Sequence, residues 1–381
     1  MARSTTHSSL AGIREANMRV VVDAVFDDDE PVALTELVDL TGLSRPTLTQ
    51  TLRLMTAFGL VEQRSGRPAS GIGRPLSVYH PLRSHHEYCV VVIAYSWFDI
   101  AIADAFGQIV MAERTDIREG ESLASQVAEH VDHMVGAREP GTMAVIIAVM
   151  GIVHEGKIVN SSRHPELAEP GVLDAMGGPV TTRWPNAGVM VGNDAKLAAR
   201  WMYRQAVASG VEASLVLAVH MNVAVGCGIV IHGEILDGAH GAAGEIYLEV
   251  DNKFHEAERR LWEAVDRLGR SSEELFTDAG AGDHEAVAAA AEIARCVADG
   301  LRPIVLALDP DTILIGGPLA NAGENLRQIF EREIGEVSLT APRVILSPHS
   351  EAAVRDGALM VAIDRMRDRL VEQLGEGRKL V

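Results

Sequence analysis

Cysteine is scarce in this chain of 381 residues. There are only three, Cys89, Cys227 and Cys296, and they lie far apart in apolar surroundings. A disulfide framework or a zinc knuckle needs closely and regularly spaced cysteines, so the spacing argues against both. We expect all three to be reduced residues of the core.

Long apolar runs are also lacking. No stretch of about 18 apolar residues is present to form a transmembrane helix. Residues 1–10 are rich in serine and threonine and do not resemble a signal peptide. Hydrophobic residues nevertheless make up 47% of the chain against 23% charged residues, which is enough for a large core. These features predict a globular cytoplasmic protein, and the length predicts roughly two to three domains.

Basic residues are outnumbered overall but not locally. The chain has 34 Lys and Arg against 53 Asp and Glu, for a formal net charge of -19. Residues 41–83 reverse this balance, with six arginines and one acidic residue, Glu62. The remaining acidic surface would be repelled by phosphate, so DNA would approach this segment in one orientation only.

Residues 34–59 have the pattern of a helix-turn-helix. Leu34 and Leu37 indicate a short amphipathic helix, and Thr41-Gly42-Leu43 indicates a tight turn. Ser44 is a good N-cap for a second helix, and Pro46 is tolerated in its first turn. The second helix is therefore predicted to begin near residue 45.

This second helix divides into two faces. Leu48, Leu52 and Met55 recur at i, i+4 and i+7 and form an apolar face. The opposite face carries residue types that read base edges or bind phosphate, namely Arg45, Pro46, Thr47, Thr49, Gln50 and Arg53. We predict that this face contacts double-stranded DNA.

Two strands are predicted after the helix, at residues 60–63 and 76–79, and the loop between them holds two Gly-Arg-Pro triplets. Arginine in such a loop suits a narrow minor groove, where the potential is most negative, so Arg67 and Arg74 are predicted DNA contacts. Residues 1–82 would then form a winged helix-turn-helix domain. A winged helix used only for protein contacts is the alternative, which the exposed arginines disfavour.

From residue 88 the pattern changes to strands alternating with long helices. Strands at 88–94, 98–105 and 108–114 indicate an antiparallel meander, followed by a helix at 122–137 and a buried strand at 143–150. A second meander is predicted at 215–221, 225–233 and 234–236, then helices near 255–268, 284–307, 322–335 and 353–372 and strands at 312–316 and 344–347. Two similar α/β lobes in series predict a ligand cleft between them.

Five segments resemble the ROK family (repressors, open reading frames and sugar kinases), in particular its regulators with an N-terminal winged helix. They are residues 90–110, 151–162, 191–199, 223–246 and 310–319, and the last two, VAVGCGIVIHGEILDGAHGAAGEI and PDTILIGGPL, are the most specific. The resemblance extends over almost the full length.

The resemblance implies an α/β fold class: a two-lobed actin-like (ribonuclease-H-like) domain behind the winged helix-turn-helix. We assign residues 83–200 to the first lobe and 201–352 to the second, with the C-terminal helix at 353–372 packing back on the first. The family also implies a sugar site in the cleft and assembly into a homodimer or homotetramer. DNA-binding proteins of this kind usually gain specific affinity as dimers on paired half-sites.

The phosphate-binding motifs of the family's kinases are altered here. Those kinases place Asp-x-Gly-x-Thr in the first hairpin and Gly-Thr-Gly in the second, because ATP phosphates need close backbone approach, a hydroxyl and a carboxylate linked to Mg²⁺. This chain has Val92-Ile93-Ala94-Tyr95-Ser96 and Asn222-Val223-Ala224 instead. The aspartate of the first motif is therefore absent, and Tyr95 is bulky enough to obstruct a phosphate.

The diglycine Gly316-Gly317 is retained, but a diglycine after a strand is more often a turn than a phosphate-binding motif. We predict no catalytic residue and no cofactor.

The family's cysteine-rich zinc motif is missing as well. Tyr247-Leu248 stands where the motif has Gly-His, and Phe254, Glu256 and Leu261 stand where its cysteines would fall. His255 is the remaining candidate ligand, and a lone helical histidine beside acidic residues is usually on a solvated face. We therefore predict no metal site and an ordinary helix held by apolar packing.

By resemblance, Asn193, Asp194 and Glu245 match the positions that hydrogen-bond sugar hydroxyls, and Glu263 matches the glutamate that follows the cysteine motif. The histidine partner is lost. Without phosphate loops, Asp194 would recognise adjacent hydroxyls rather than act as a general base. The alternative is structural, because Asn-Asp before a helix is also a common N-cap and Gly244-Glu245 could begin a strand.

Ser161, Ser162, Arg163 and His164 lie where the family's first-lobe sugar loop would be. An Arg-His pair at this place hints at an anionic ligand such as a sugar phosphate or a sugar acid, although such pairs are commonly surface charges.

Three functions remain open from the sequence. The favoured one is a ligand-responsive regulator, a repressor of carbohydrate-related genes, in which cleft closure changes the spacing of two winged helices in a dimer. The second is a regulator with a vestigial cleft, controlled by a protein partner or by abundance. The third is an active sugar kinase with an appended DNA-binding domain, which the altered motifs disfavour.

Overall fold

The structure is a computed structural model that describes residues 10–27, 29–66, 76–82, 86–136, 138–139, 142–249, 251–348 and 352–376. Within these ranges the strands form three larger sheets, of three, five and five strands, and one two-stranded hairpin. Each larger sheet has its own apolar core, so a small N-terminal unit is followed by two α/β lobes. No helix in the described ranges is both long enough and apolar enough to cross a membrane.

The N-terminal unit is a helix-turn-helix with an additional helix in front. Its elements are α1 (Leu10–Val25), β1 (Val32–Ala33), α2 (Leu34–Thr41), α3 (Arg45–Ala57), β2 (Val61–Gly66) and β3 (Leu76–Pro81), with the sheet order β1-β3-β2. Gly42 ends α2 in the left-handed conformation at φ 68°, which a residue with a side chain rarely adopts. Ser44 caps α3 by accepting a hydrogen bond from an amide of its first turn. The turn chemistry predicted from the sequence is therefore present.

The first lobe is built on a mixed sheet with the order β10-β7-β4-β5-β6. Its strands are β4 (His86–Ile93), β5 (Trp97–Ala103), β6 (Ile109–Asp116), β7 (Thr142–Val149) and β10 (Val189–Asn193), and a separate hairpin is formed by β8 (Ile152–His154) and β9 (Lys157–Asn160). The helices α4 (Leu123–Val135) and α5 (Val172–Arg183) cover one face, and α6 (Asp194–Ala208) and α11 (Ala353–Glu376) cover the other. The C-terminal helix thus packs back on this lobe.

The second lobe repeats this arrangement with the sheet order β13-β12-β11-β14-β15. Its strands are β11 (Leu215–Met221), β12 (Val225–Ile231), β13 (Glu234–Ile235), β14 (Thr312–Gly316) and β15 (Arg343–Leu346). One face is covered by α7 (Lys253–Leu268), α8 (Ser272–Gly280), α9 (His284–Leu308) and α10 (Glu324–Gly335). Short 3₁₀ helices occur at Pro165–Ala168, Ile246–Leu248 and Pro318–Ala322. Helix α7 occupies the segment where the related proteins have their zinc motif, and it is an ordinary helix, as predicted.

Helix α6 lies between the two lobes and packs on both. It contributes Leu197 to the first lobe's core and Met202 to a cluster under the second sheet. Its approach to β12 is very close, because a Cβ built on Gly228 would lie 2.4 Å from the Cβ of Ala199. It also approaches α11 at backbone distance, since a Cβ on Gly357 would lie 2.0 Å from the Leu197 carbonyl oxygen. Movement of α6 must therefore involve both neighbours.

A chain of ion pairs continues from α6 through α11 to α1. Arg200 of α6 pairs with Asp364 of α11 at 2.7 Å, and Asp364 also lies 3.5 Å from Arg19 of α1. Arg19 further pairs with Asp23, which accepts from Arg367 of α11 at 3.2 Å. Apolar contacts accompany these charges, because the end of α11 shares the core of the N-terminal unit. The helix-turn-helix is thus attached to the same helix that packs on α6.

Candidate DNA interface and ligand cleft

Helix α3 presents the polar face that the sequence predicts. Leu48, Leu52 and Met55 are fully buried against the rest of the N-terminal unit. Their burial turns the opposite side of the helix to the solvent, where Arg45, Pro46, Gln50 and Arg53 are exposed and Thr47 and Thr49 are half-buried. The Thr49 hydroxyl donates to the Arg45 carbonyl at 2.8 Å, and the Thr47 hydroxyl lies 2.9 Å from that of Ser44 in the N-cap. Both threonine hydroxyls already have a partner in the helix.

A surface groove of about 710 Å³ runs along this face. Five of the six predicted helix residues line it, together with Leu54 and with Arg14 of α1. None of Arg14, Arg45 and Arg53 forms an ion pair with a described residue, so their charges are available to a ligand. Sequence reasoning missed Arg14, because α1 was not predicted. The wing residues Arg67 and Arg74 lie outside the described residues.

The second site is a cleft of about 630 Å³ between the two lobes, and Asn193, Asp194 and Glu245 all line it. Asn193 accepts from the Lys196 amide at 2.9 Å and so caps α6. Its amide group also donates to the Gly151 carbonyl at 2.9 Å and to Glu245 at 3.0 Å. Asn193 is therefore an N-cap, as the structural alternative predicted, and it also links the two lobes through Glu245, while its contact with a sugar stays a prediction.

Glu245 does not begin a strand, which corrects one of the alternatives left by the sequence. It precedes a 3₁₀ helix and follows Gly244, which has φ 88° and lies so close to β12 that a Cβ would be 2.2 Å from the Cys227 carbonyl oxygen. Only glycine fits this approach. Gly244 therefore fixes the position from which Glu245 enters the cleft.

The carboxyl groups of the cleft are held in a poorly hydrated environment. Burial raises the pKa of Asp194 to about 7, with a further contribution from the neighbouring charge of Glu245. Burial also raises the pKa of Glu245, and the Lys196 ammonium partly opposes that shift. Lys196 is itself buried and donates to the Gly241 carbonyl at 2.8 Å and to Asp237 at 3.0 Å. Such carboxyls can accept hydrogen bonds from hydroxyl groups, and in the protonated form they can also donate one.

Glu258, and not the predicted Glu263, is the acidic residue of α7 that lines the cleft. Glu263 is exposed and pairs with Arg259 on the outer side of α7. Glu258 lines the cleft and accepts from the Val225 amide at 3.0 Å, and burial raises its pKa. Trp262, one helical turn later, lines the cleft as well and is 41% exposed. Their i, i+4 spacing was the signal in the sequence that could have found this pair.

His255 is not on a solvated face, contrary to the sequence-based expectation. Its Nε2 lies 2.9 Å from the Tyr247 carbonyl oxygen, and its ring is 4.5 Å from the Tyr247 ring, centroid to centroid. The imidazole thus holds α7 against the loop before it. In the described part of the chain, no group of three or more His, Cys, Asp or Glu is arranged to hold a metal ion.

The first hairpin, which binds phosphate in the kinases, is covered by side chains. Tyr95 at its tip lies under the Arg163 guanidinium, 3.7 Å from Cζ to the ring centroid, and 5.9 Å from the Trp262 ring on the other lobe. His164 is 7% exposed and contacts the Ala94 carbonyl at 2.9 Å. Arg163 is therefore a residue of the cleft, whereas His164 is buried and holds its loop against the first hairpin.

The surviving diglycine has a packing role. Gly317 has φ 73°, and a Cβ there would lie 2.3 Å from the Met221 carbonyl oxygen. This close contact joins the ends of β14 and β11. The geometry agrees with the interpretation of Gly316-Gly317 as a turn.

Two family models match the chain: that of the ROK family at residues 93–247, and that of the IclR helix-turn-helix domain at residues 21–65. Residues 93–247 thus match a ROK-family domain, and residues 21–65 in front of them match an IclR-type helix-turn-helix domain. The comparison with curated proteins gave no match.

Solved structures agree with this assignment. A ROK family transcriptional regulator, described as a homolog of the E. coli MLC protein, is similar with a TM-score of 0.69 at 18% identity, covering 96% of this chain and 100% of that one. A Streptococcus pneumoniae TIGR4 ROK family protein in complex with sucrose has a TM-score of 0.56 at 18% identity, covering 74% and 99%. A Streptomyces griseus ROK family glucokinase in complex with glucose and AMPPNP has a TM-score of 0.55 at 16% identity, covering 73% and 99%. At these identities the likeness shows the fold, and it confirms the predicted fold class.

Proposed function

We propose that this protein is a sequence-specific DNA-binding transcriptional regulator, a repressor of carbohydrate-related genes. The observation that carries the proposal is the groove along α3, where Arg14, Arg45 and Arg53 have no acidic partner among the described residues of a strongly anionic protein. Free guanidinium groups beside an exposed helix suit the phosphates and base edges of a major groove. A helix used only for protein contacts would not need this concentration of positive charge.

Within this interface, Arg45 and Gln50 are assigned to base edges and Arg53, Arg67 and Arg74 to phosphates or the minor groove. Pro46, Thr47 and Thr49 complete the surface at the start of α3. Each bidentate contact to a base contributes about 1–3 kcal/mol of discrimination. Two such domains in a homodimer or homotetramer, acting on paired half-sites in the cytoplasm, would supply the specificity that a single module lacks.

The two-lobed domain acts as a sensor and an oligomerisation module and not as a kinase. Tyr95 and Arg163 occupy the space over the first hairpin, where a kinase of this fold needs room for phosphate. Asn193, Asp194 and Glu245 remain in the cleft and are suited to hydroxyl groups. Relatives of this fold have been crystallised with sucrose and with glucose, which supports a carbohydrate effector.

We assign residues 1–82 to the DNA-binding domain, residues 83–200 to the first lobe and residues 201–352 to the second lobe.

Effector binding would act at the N-terminus of α6. The ion pairs from Arg200 to Asp364 and on to Arg19 would then carry a change in α6 to α1. The size of the effect on DNA affinity is limited by the effector's preference for one of the two arrangements.

The test is selection of genomic fragments by the full chain, followed by footprinting of the enriched sites. Arg45→Ala and Gln50→Ala are expected to lose sequence preference. Arg67→Ala and Arg74→Ala are expected to weaken binding at all sequences and to flatten its salt dependence. Failure to enrich any fragment would refute the proposal, and turnover of a sugar with ATP-Mg would show that the domain is a kinase instead.

A further inference from the structure

Arg163 is a charged residue of the cleft that the hydroxyl-binding role does not use. It is exposed and lines the cleft, and no carboxylate among the described residues pairs with it. Its Nε donates to the Tyr95 carbonyl at 3.0 Å, which leaves both terminal nitrogens of the guanidinium without a partner in the described structure. An arginine with this free edge presents a fork that matches the oxygens of a phosphate or a carboxylate.

The guanidinium is also held in place before any ligand arrives. The Tyr95 ring supports its face at 3.7 Å, and the loop that carries it is fixed on both sides. Ser161 donates to the Met150 carbonyl at 2.8 Å, and His164 contacts the Ala94 carbonyl at 2.9 Å. Little side-chain freedom is left to lose when an anion binds, which favours affinity.

Further donors face the same part of the cleft. Ser162 is adjacent to Arg163, and Ser96 is at the tip of the first hairpin, and both are exposed and line the cleft. Neither hydroxyl has a hydrogen bond to another residue in the described ranges. The guanidinium and the two hydroxyls can all donate hydrogen bonds to an anion.

Other residues that line the cleft have the complementary character. Asn193, Asp194, Glu245 and Glu258 bring carboxyl and amide groups together there, and burial raises the pKa values of the three acids. Acids that hold their protons more readily repel a bound anion less than fully ionised ones. A ligand could therefore place its hydroxyls on these groups and an acidic group on Arg163.

We propose that the cleft takes an acidic sugar, whose hydroxyls meet Asn193, Asp194 and Glu245 and whose phosphate or carboxylate is bound by Arg163. This proposal rests on the sensing role given to the cleft above. It adds a specificity-determining residue and a ligand class. Because Tyr95 also contacts Trp262 of the second lobe, the anion would bind beside a contact that joins the two lobes.

The test is isothermal titration calorimetry on the full chain without DNA, so that its outcome does not depend on the DNA-binding proposal. The probes are glucose, mannose, N-acetylglucosamine and N-acetylmannosamine, their 6-phosphates, the uronic acids of glucose and mannose, and inorganic phosphate. At least one acidic sugar is expected to bind tighter than its neutral parent by roughly tenfold or more, the usual gain of a hydrogen bond to a charged group. Comparison of 6-phosphates with uronic acids identifies which acid is preferred.

Arg163→Gln is expected to bring the acidic and the neutral sugar to nearly equal affinity, and Arg163→Lys to recover part of the difference because it keeps the charge without the fork. Asp194→Asn is expected to weaken both ligands alike. Arg332→Gln, at an exposed position on α10, is the matched control and should leave all affinities unchanged. The proposal is overturned if neutral sugars bind as tightly as acidic ones, if Arg163→Gln keeps the preference, if inorganic phosphate binds as tightly as the sugar phosphates, or if no acidic sugar binds.

Discussion

Asp194 gives a prediction that needs no ligand. Its pKa is raised from 3.8 to about 7, mainly by burial. A carboxyl with a raised pKa destabilises the folded state when it is ionised, so its cost is fully present above pH 7 and disappears as the pH falls towards 4. Replacement by asparagine removes the charge and keeps an oxygen that can accept from the Ala195 amide, as Asp194 does at 2.9 Å. Asp194→Asn should therefore stabilise the protein at pH 8 clearly more than at pH 5, where less than half of the cost remains.

The magnitude follows from the size of the shift. About three pKa units correspond to about 4 kcal/mol at 1.36 kcal/mol per unit. Asp194 is partly exposed and shares its site with Glu245, so we expect a smaller gain, about 1–3 kcal/mol. For a domain of this size, that raises Tm by roughly 2–4 °C for each kcal/mol.

The assay is thermal unfolding of the wild type and the variant at pH 5 and pH 8, followed by circular dichroism. Asp132→Asn serves as the control, because Asp132 is exposed on α4 and its replacement should leave Tm unchanged at both pH values. An equal gain at pH 5 and pH 8, or no gain at pH 8, would refute the reasoning about a buried, reluctantly ionised carboxyl.

Three further predictions test other parts of the structure. Arg14→Ala should lower the slope of log affinity against log salt for DNA by about one unit without changing sequence preference; an unchanged slope would remove Arg14 from the interface. Asp364→Asn should increase hydrogen exchange in α1, because Asp364 links α1 to α6 through Arg19, and the loss of such partly exposed pairs costs about 1 kcal/mol; unaltered exchange would show that the other contacts between α1 and α11 are sufficient to hold α1. Gly228→Ala should destabilise the protein by about 1–3 kcal/mol in urea unfolding, because its Cβ would overlap α6, whereas Gly178→Ala, with open space around it, should not.

Local chemistry explains which elements could be predicted from the sequence. The turn at Gly42, the cap at Ser44 and the apolar spacing of α3 act within a few residues, and all are found as predicted. Helices α1 and α5 were not predicted. The first contains a run of three valines at 20–22, and the second contains Gly177, Gly178 and Pro179, residue types with low helix propensity, so packing against the rest of the fold must stabilise both helices.

The cleft shows the same division between local and long-range information. Asn193, Asp194 and Glu245 were placed by motif resemblance and do meet in space, although their proposed binding role stays a prediction. Glu258 was missed in favour of Glu263, because a motif that has lost its cysteines no longer fixes the register of the helix that replaced it. The partner of Arg163 is Tyr95, 68 residues earlier, and nothing local in the sequence indicates that contact.

Helix α11 connects two parts of the molecule, because its two ends pack in different places. Its start touches α6 through Gly357, and its end lies in the core of the N-terminal unit. Its 24 residues span about 36 Å at 1.5 Å per residue, so a tilt of about 5° at the cleft displaces the far end by about 3 Å. That displacement is close to the 3.4 Å rise between successive bases, so under the proposed function a small rotation of α11 would be enough to move α3 out of register with its half-site.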